Sequence, residues 1–126
     1  MIVGVGIDLC EISRMEALLK DGRFLGRYFA QEEQEYIETR GKCAAASMAG
    51  IFAAKEALAK ALGVGLSAGD IAGICVLHDK FGAPYYDLRG DFACQAAQRN
   101  VHTVHLSITH ENGMAAAVAI AERNNG

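Results

Sequence analysis

Asp8, Glu56 and Lys60 are the side chains whose types and positions best suit chemistry on a phosphate group. Glu56 and Lys60 are four residues apart in a run of helix-forming residues, so they lie one turn apart on one rim of a helix. Asp8 ends a short apolar run that is typical of a strand. Two such carboxylates can hold Mg²⁺, which prefers a few carboxylates together with waters and substrate phosphates. Two simpler roles stay open at this point: an exposed Glu56–Lys60 ion pair, and an Asp8 that only caps the next helix.

The helix that carries Glu56 and Lys60 is predicted over residues 47–62, and it ends at Gly63, a favoured C-cap residue. At 100° per residue, one face carries the large apolar side chains and the opposite face carries small ones. The small residues are Ala49, Gly50, Ala53, Ala54, Ala57 and Ala61. They allow a second layer to approach closely, so we expect this helix to be central. Lys55 falls within the apolar arc, where its aliphatic stem would be buried and its charge would reach outward.

The strand that carries Asp8 is predicted over residues 2–8. Its alternate residues form one apolar face, while Gly4, Gly6 and Asp8 share the other face. The two glycines leave room for another part of the molecule, or a ligand, to approach that face.

The remaining pattern is strand, helices, strands, helix and a final hairpin. Asn112-Gly113 is a pair typical of a type I′ turn, and residues 123–126 are expected to be a frayed tail. The pattern predicts an α+β fold in which a mainly antiparallel sheet packs against the central helix. The other predicted elements are helices at 11–20, 31–39 and 91–100, and strands at 70–78, 85–88, 101–109 and 114–121.

Composition excludes several classes of protein. The chain has 126 residues, 52% of them apolar, and a net charge of −3, which suits one globular domain and argues against nonspecific nucleic-acid binding. Its four cysteines form no C-x-x-C pair, so we expect reduced thiols rather than a zinc or redox motif. The apolar run at residues 1–7 is too short to cross a membrane. We therefore expect a cytoplasmic protein.

Two long motifs resemble the holo-[acyl-carrier-protein] synthases. Residues 6–14, GIDLCEISR, match their G-[IVT]-D-x-x-x-[IV]-x-R start, and residues 52–63, FAAKEALAKALG, match their F-A-A-K-E-A-x-x-K-A-x-G. Residues 82–84 (GAP) and 106–110 (LSITH) resemble two further blocks in the family's order. The resemblance covers essentially the whole chain. It implies the 4′-phosphopantetheinyl transferase fold, formed by residues 1–126 as one domain.

The resemblance also implies a reaction and its residues. Such an enzyme moves 4′-phosphopantetheine from coenzyme A to a serine of apo acyl carrier protein in fatty acid biosynthesis, releasing adenosine 3′,5′-bisphosphate. Asp8 and Glu56 match the family's Mg²⁺ ligands, and Lys60 matches a lysine that contacts the leaving phosphate. His110 matches a family histidine and is of the residue type most often used as a general base, and Glu111 follows it as an acidic residue does in some members. A metal-bound water or Glu56 itself stays open as an alternative base.

Further residues fall at family positions that contact coenzyme A or the carrier protein. Lys55 is kept in the family with either a structural or a phosphate-proximal role. The residues expected near coenzyme A are Lys55, Lys60, Gly63, Gly65, Pro84 and Thr109. Arg14, Arg23 and Arg27 fall where members present basic residues to the acidic helix of the carrier protein. The family is typically a trimer with its sites between subunits, so residues 82–84 and 107–109 would line a neighbour's site.

Two departures from the family pattern concern coenzyme A. Members usually have an arginine, expected near the coenzyme A phosphates, where this chain has Ile51, and their G-[ST]-G loop is Gly63-Val64-Gly65 here. Two other functions therefore stay open. A metal-dependent pyrophosphatase acting on nucleotide derivatives would use the same Asp8, Glu56 and Lys60, and a noncatalytic carrier-protein-binding subunit would have lost its coenzyme A site. His78, His102 and His105 match no motif and are expected to be ordinary strand residues.

Overall fold

The computed structural model describes residues 1–124, which contain five strands and five α-helices. None of the described helices has both the length and the apolar content needed to cross a membrane. The elements are β1 (Ile2–Glu11), α1 (Ile12–Leu19), α2 (Arg23–Tyr28), α3 (Gln31–Glu38), α4 (Ala44–Ala61), β2 (Ile74–His78), β3 (Pro84–Leu88), α5 (Gly90–Gln98), β4 (Thr103–Glu111) and β5 (Met114–Glu122). Single 3₁₀ turns lie at Gly41–Cys43, Leu66–Ala68 and Ile71–Gly73.

The strands form two antiparallel sheets, which confirms the predicted α+β class. The larger sheet has the order β1-β5-β4, and the smaller one pairs β2 with β3. In the larger sheet Asp8 lies opposite Ala117, and Ala117 lies opposite Ile108 on the other side. Asn112 and Gly113, at φ values of 54° and 79°, form the predicted two-residue turn between β4 and β5.

Helix α4 packs directly against the larger sheet because both surfaces carry small residues at the contact. A methyl group added at Gly4 would collide with the carbonyl oxygen of Ala61, and one added at Gly6 with that of Ala57. What approaches the glycine face of β1 is therefore the backbone of α4. The result is a helix buried on nearly all sides, as its composition predicted, with Gly63 ending it at a φ of 76°.

The opposite face of the larger sheet is apolar and exposed. Val5, Ile7 and Leu9 of β1 are each about 60% exposed: 59%, 64% and 62%. The pairing register continues this face onto Ile120 and Val118 of β5. Exposed apolar faces of this kind are typical of interaction surfaces.

Three sequence expectations need correction. Residues 23–28 form the short helix α2, which no pattern predicted, and β1 runs three residues beyond Asp8. Asp8 therefore lies inside a strand and caps no helix, since α1 begins at Ile12. Arg123 is not frayed, because its N–H donates to the Met1 carbonyl at 2.8 Å. The rest of the expected tail, residues 125–126, lies outside the described residues.

The cysteines agree with the expectation of reduced thiols. All four are free; Cys10 and Cys75 are buried, whereas Cys43 and Cys94 are exposed.

Candidate active site

The contact between β1 and α4 brings Asp8 and Lys60 together. Lys60 Nζ lies 2.9 Å from Asp8 Oδ1 and also donates to the Ile7 carbonyl at 3.1 Å. Lys60 therefore pairs with Asp8 across the two elements, and not along its own helix with Glu56 as the four-residue spacing suggested. The lysine side chain is 55% exposed and the aspartate only 13%, so the pair sits at the mouth of a depression and opens toward solvent.

Glu56 faces the same aspartate from one turn earlier in α4. Partial burial raises the pKa of Glu56 to about 7, and the neighbouring Asp8 carboxyl group contributes, while Arg14 and Lys60 oppose the shift. Two carboxyl groups that approach each other in this way disfavour double ionisation. A bound divalent cation would reverse that preference by favouring both charges.

The donor set at this position fits Mg²⁺. Asp8 Oδ2 is buried and has no hydrogen-bond partner. Asp8 is one of two carboxylates at this position, and Glu56 is the other. Residues 1–124 contain no cluster of three or more His, Cys, Asp or Glu side chains suited to a metal. Mg²⁺ is commonly held by one or two carboxylates plus substrate phosphates and water, so Asp8 and Glu56 suffice as its protein ligands.

The glycine loop after α4 lies beside these charges. Gly65 and Val64 line a cavity of about 320 Å³ together with Glu56 and Lys60. The N–H groups of Gly63 and Val64, however, close the end of the helix by donating to its last carbonyls at 3.0 and 2.9 Å. Gly65 is the glycine that lines the cavity, whereas the N–H of Gly63 is used within the helix, so the place of Gly63 near coenzyme A stays a prediction.

Lys55 does not reach this site or the surface. Its side chain is fully buried, and Nζ contacts Glu33 Oε1 at 2.7 Å and the Ile74 carbonyl at 2.6 Å. Burial lowers the pKa of Lys55 and raises that of Glu33, and each partner opposes the shift of the other. Of the two roles left open for Lys55, the structure favours the structural one. Direct contact with coenzyme A does not fit a buried ammonium group whose contacts are all within the protein.

His110 lies in a second cavity, of about 180 Å³, at the other end of α4. Its Nε2 is 2.9 Å from the Ala46 carbonyl, and its ring packs over Gly50, where a methyl group would come within 3.0 Å of Nε2. Because a carbonyl only accepts, Nε2 carries the proton in this arrangement and Nδ1 is the nitrogen free to accept one. Ile51 and Pro84 line the same cavity.

Three residues that no motif indicated share this cavity with His110. Tyr36 and His78 stack with ring centroids 3.9 Å apart and planes inclined by 8°, and Arg40 lies 5.4 Å from the Tyr36 ring centroid. His78 Nδ1 is buried without a hydrogen-bond partner. Burial lowers the pKa of His78, and the positive charge of Arg40 adds to that effect. His78 is therefore not the ordinary strand residue that the sequence suggested.

Two expected residues lie on the far side of the larger sheet. Strand alternation points Thr109 and Glu111 away from His110, toward the exposed apolar face, where they oppose Ala116 and Met114. Glu111 therefore does not join His110 within one chain. His105 lies on the same face and pairs with Glu122 at 2.9 Å, while His102 accepts from the N–H of Asn124.

The three expected docking arginines are exposed on α1 and α2. Arg14 stands over the Phe52 ring at 5.6 Å and is close enough to Glu56 to influence its pKa. Arg27 stands over Tyr28 at 5.3 Å, and Arg23 is 90% exposed beside Asp21. The basic surface therefore begins next to the carboxylate pair.

The two halves of the site lie apart within one chain. Glu56 follows Gly50, over which the His110 ring packs, by six residues, which at 1.5 Å per residue is about 9 Å along α4. The strands that carry Asp8 and His110 are separated by β5, a lateral distance of about 10 Å. One half holds carboxylates and a lysine, and the other holds histidines and an arginine.

Comparison with known proteins identifies the class to which this fold and site belong. Residues 4–121 match the family model described as the 4′-phosphopantetheinyl transferase superfamily, and the chain belongs to that superfamily.

Individual relatives show which type of transferase within the superfamily the chain resembles. A holo-[acyl-carrier-protein] synthase of Treponema denticola is 45% identical over 97% of this chain and 99% of its own length. The crystal structure of the Neisseria meningitidis synthase superposes with a TM-score of 0.86 at 32% identity, covering 98% of this chain and 100% of that one. The Bacillus anthracis synthase, solved in complex with CoA (3′,5′-ADP), gives 0.81 at 33% identity, covering 98% and 99%. The resemblance to holo-[acyl-carrier-protein] synthases is therefore confirmed, and the chain is a phosphopantetheinyl transferase of this type.

Proposed function

We propose that residues 1–126 form one catalytic domain that transfers 4′-phosphopantetheine from coenzyme A to a serine of apo acyl carrier protein, with Mg²⁺. The observation that carries the proposal is the meeting of Asp8, Glu56 and Lys60 at the β1–α4 contact, with a buried Asp8 oxygen left without a partner. Related synthases solved with coenzyme A support the choice of donor.

Each residue of this half has a distinct role. Asp8 and Glu56 would hold Mg²⁺, which when bound offsets negative charge on the pyrophosphate as its P–O bond breaks. Lys60, more than half exposed, contacts the phosphate that leaves with adenosine 3′,5′-bisphosphate. Gly65 borders the same cavity and lets the substrate approach the backbone.

His110 is proposed as the general base. The serine oxygen forms a bond to the phosphorus of phosphopantetheine as the bond to the leaving phosphate breaks, and the serine proton goes to His110. Its Nδ1 is the free nitrogen because Nε2 is held by the Ala46 carbonyl. His110→Gln is expected to lower kcat more than it raises KM for coenzyme A. Unchanged kcat in this variant would leave the role to a metal-bound water or to Glu56.

The complete site is proposed to form between subunits of a trimer. The exposed apolar face around Val5, Ile7 and Leu9 needs a partner, and a second copy of this chain supplies one. The same assembly would set the His110 half of one subunit against the Asp8 half of its neighbour, and would bring Pro84 and Thr109 to the shared site.

Mixed assemblies test this arrangement. Asp8→Asn and His110→Gln variants are each expected to be nearly inactive alone, and co-expression should restore part of the activity, because some sites then combine two intact halves. Failure of the co-expressed pair to exceed either variant alone would place each site within one chain. Native mass spectrometry of the wild-type protein should show three chains, and Ile7→Glu should reduce that to one.

Carrier-protein docking is assigned to Arg14, Arg23 and Arg27. The three exposed side chains form a basic area next to Glu56 on a chain of net charge −3, which suits an acidic partner. We further propose a cytoplasmic location, in keeping with four unpaired cysteines.

The direct test is the intact mass of apo acyl carrier protein after incubation with this protein, coenzyme A and Mg²⁺, with EDTA as the control. The proposal predicts a metal-dependent gain of one phosphopantetheine group. Carrier-protein binding without any gain would favour the noncatalytic subunit. Hydrolysis of coenzyme A without a gain would favour the pyrophosphatase.

A further inference from the structure

The loop between α4 and β2, residues 62–73, forms one wall of the cavity beside the carboxylate pair. Val64, Gly65 and Leu66 line this space of about 320 Å³, opposite Lys60 on the helix side. The position of the loop sets the width of the cavity. A residue that holds the loop in place therefore acts on whatever the cavity binds.

Both ends of this α4–β2 loop are attached to α4. At its start, two backbone N–H groups donate to the last carbonyls of the helix at 3.0 and 2.9 Å. At its far end, the buried Lys55 ammonium donates to the carbonyls of Ile71 and Ile74 at 3.3 and 2.6 Å. The stretch at residues 65–70 lies between these two attachments, and it includes the part that faces the cavity.

The middle of the loop is bound to a neighbouring element by one polar side chain. Asp91, in the first turn of α5, accepts a hydrogen bond from the N–H of Asp70 at 3.2 Å. Within residues 1–124, no other side chain outside the loop forms a hydrogen bond with residues 65–70. Leu66 and Ala68 also pack partly against the core, but apolar contacts are not directional. Asp91 therefore supplies the directional link.

Two glycines let the start of α5 lie directly against the loop. A methyl group added at Gly69 would collide with Cβ of Asp91, and one added at Gly73 would collide with the Arg89 carbonyl oxygen. The backbone of Gly69 is extended, with a φ of −180°, so the requirement for glycine there is one of space. The Arg89 N–H also donates to the Gly73 carbonyl at 2.8 Å. The loop and residues 89–91 thus meet through a close contact of their backbones.

The residue that precedes this contact holds the start of α5 to α3. Arg89 forms two hydrogen bonds to the Glu32 carboxylate, at 3.1 and 2.5 Å, and one to Asp87 at 2.8 Å. Asp91 therefore attaches the middle of the loop to a segment that is itself anchored to another helix.

We infer that Asp91 is a positioning residue, which holds the α4–β2 loop at the distance from the carboxylate pair that coenzyme A requires. The inference rests on the proposed function for the identity of the substrate. Asp91 does not line the 320 Å³ cavity, and it acts through Asp70 and Gly69 on the stretch that begins at Gly65. Loss of the link should weaken coenzyme A binding and leave the chemistry of the bound substrate unchanged.

The test measures coenzyme A binding by calorimetry, together with KM and kcat for transfer. Asp91→Ala should weaken binding and raise the KM for coenzyme A by about 2- to 10-fold, as expected for loss of one hydrogen bond, while kcat stays near the wild-type value. The matched control is Gln95→Ala, which also removes one hydrogen bond of α5, that to Arg99, and should leave coenzyme A binding unchanged.

A conservative variant separates positioning of the loop from stability of the helix. Asp91→Asn keeps an oxygen that can accept from the Asp70 N–H, so it should retain the wild-type KM for coenzyme A. It removes the negative charge that favours the first turn of α5. A role in helix stability alone would make Asp91→Asn as harmful as Asp91→Ala, which would overturn the inference.

Substitution of the facing glycine tests the same contact from the loop. Gly69→Ala should raise the KM for coenzyme A at least as much as Asp91→Ala, because the collision with Asp91 forces the loop away from α5. The double variant should match Gly69→Ala, since both changes remove one shared contact. Fully additive effects would show that the two residues act separately and would overturn the inference.

Hydrogen exchange of the loop amides gives a readout that needs no ligand. In Asp91→Ala, exchange should become faster over residues 65–70 and stay unchanged in α4. Unchanged exchange in the loop, or unchanged coenzyme A binding, overturns the inference even if wild-type transfer is normal. Absence of transfer by the wild-type protein overturns the proposed function, while the binding and exchange measurements still decide the role of Asp91.

Discussion

Helix α4 presents two lysines five residues apart, and each pairs with a carboxylate from another element. Lys55 meets Glu33 of α3 with both side chains fully buried, and Glu33 also accepts from the N–H groups of Ala30 and Val76 at 2.8 and 2.9 Å. Lys60 meets Asp8 of β1 at a half-exposed position where one Asp8 oxygen has no partner. Both carboxylate oxygens of Glu33 have hydrogen-bond partners within the protein, so the first pair is saturated. In the second pair one Asp8 oxygen remains available to a ligand. The number of protein partners therefore distinguishes Lys55, whose role is structural, from Lys60, for which we propose a role in transfer.

The largest expected effect is the loss of stability on breaking the buried Lys55–Glu33 pair. Lys55→Met should lower the free energy of unfolding by about 3–5 kcal/mol, because it leaves the Glu33 carboxylate buried without its counter-ion. Urea denaturation measures this loss. Lys60→Met is the matched control and should cost no more than about 1 kcal/mol, since its pair is partly exposed. Equal destabilisation by the two variants would remove the distinction between the pairs.

For phosphopantetheine transfer we expect the reverse: a substitution in the Asp8–Lys60 pair should reduce activity strongly and change stability little. Asp8→Asn should lower kcat/KM by at least about 100-fold, because even groups that only support metal ligands contribute 10- to 100-fold. The unfolding free energy should change little, and additional Mg²⁺ should restore part of the activity. A variant that unfolds as readily as Lys55→Met would show that Asp8 serves the fold instead.

The pH dependence of the unfolding free energy, measured in EDTA, tests the carboxyl groups beside Lys60. The folded protein binds a proton at Glu56 more tightly than the unfolded chain does, since its pKa rises from 4.5 to about 7. Between these values the folded state holds more protons, so this contribution to stability is present at low pH and is lost as pH rises toward 7. Allowing for the partial exposure of the group, the loss is about 1 kcal/mol. Glu56→Gln should flatten this part of the profile, and an identical slope in both proteins would contradict the assignment.

The smallest expected effect concerns docking. Arg14→Glu should raise KM for the carrier protein several-fold, most clearly at low ionic strength, because exposed charges are screened by salt. The KM for coenzyme A should stay near its wild-type value. An unchanged KM for the carrier protein would remove Arg14 from the docking surface.

The sequence predicted the surroundings of Lys60 better than those of Lys55. Strand alternation put Asp8 on the glycine face of β1, and helical spacing put Glu56 and Lys60 on one rim, but their grouping into one site followed from the family resemblance. The partner of Lys55 is Glu33, 22 residues away in a separate helix, and no local pattern connects them.

Tertiary contacts also explain the remaining differences. Alternation divides β1 into two faces but does not say which one the helix covers, and only the close approach of α4 at Gly4 and Gly6 decides it. Arg40 and His78 belong to a loop and to β2, and they meet only because α3 carries Tyr36 between them. Charged residues far apart in sequence were therefore grouped only where the family motifs named them.

Turnover of Glu56→Gln in Mg²⁺, measured as the rate of mass gain on apo acyl carrier protein, tests the central claim most directly. The account predicts a folded protein, with unfolding free energy near that of the wild type, that transfers essentially no phosphopantetheine. Near-normal turnover in a folded Glu56→Gln protein would contradict the account, because the open pair on α4 would then not be the centre of the chemistry.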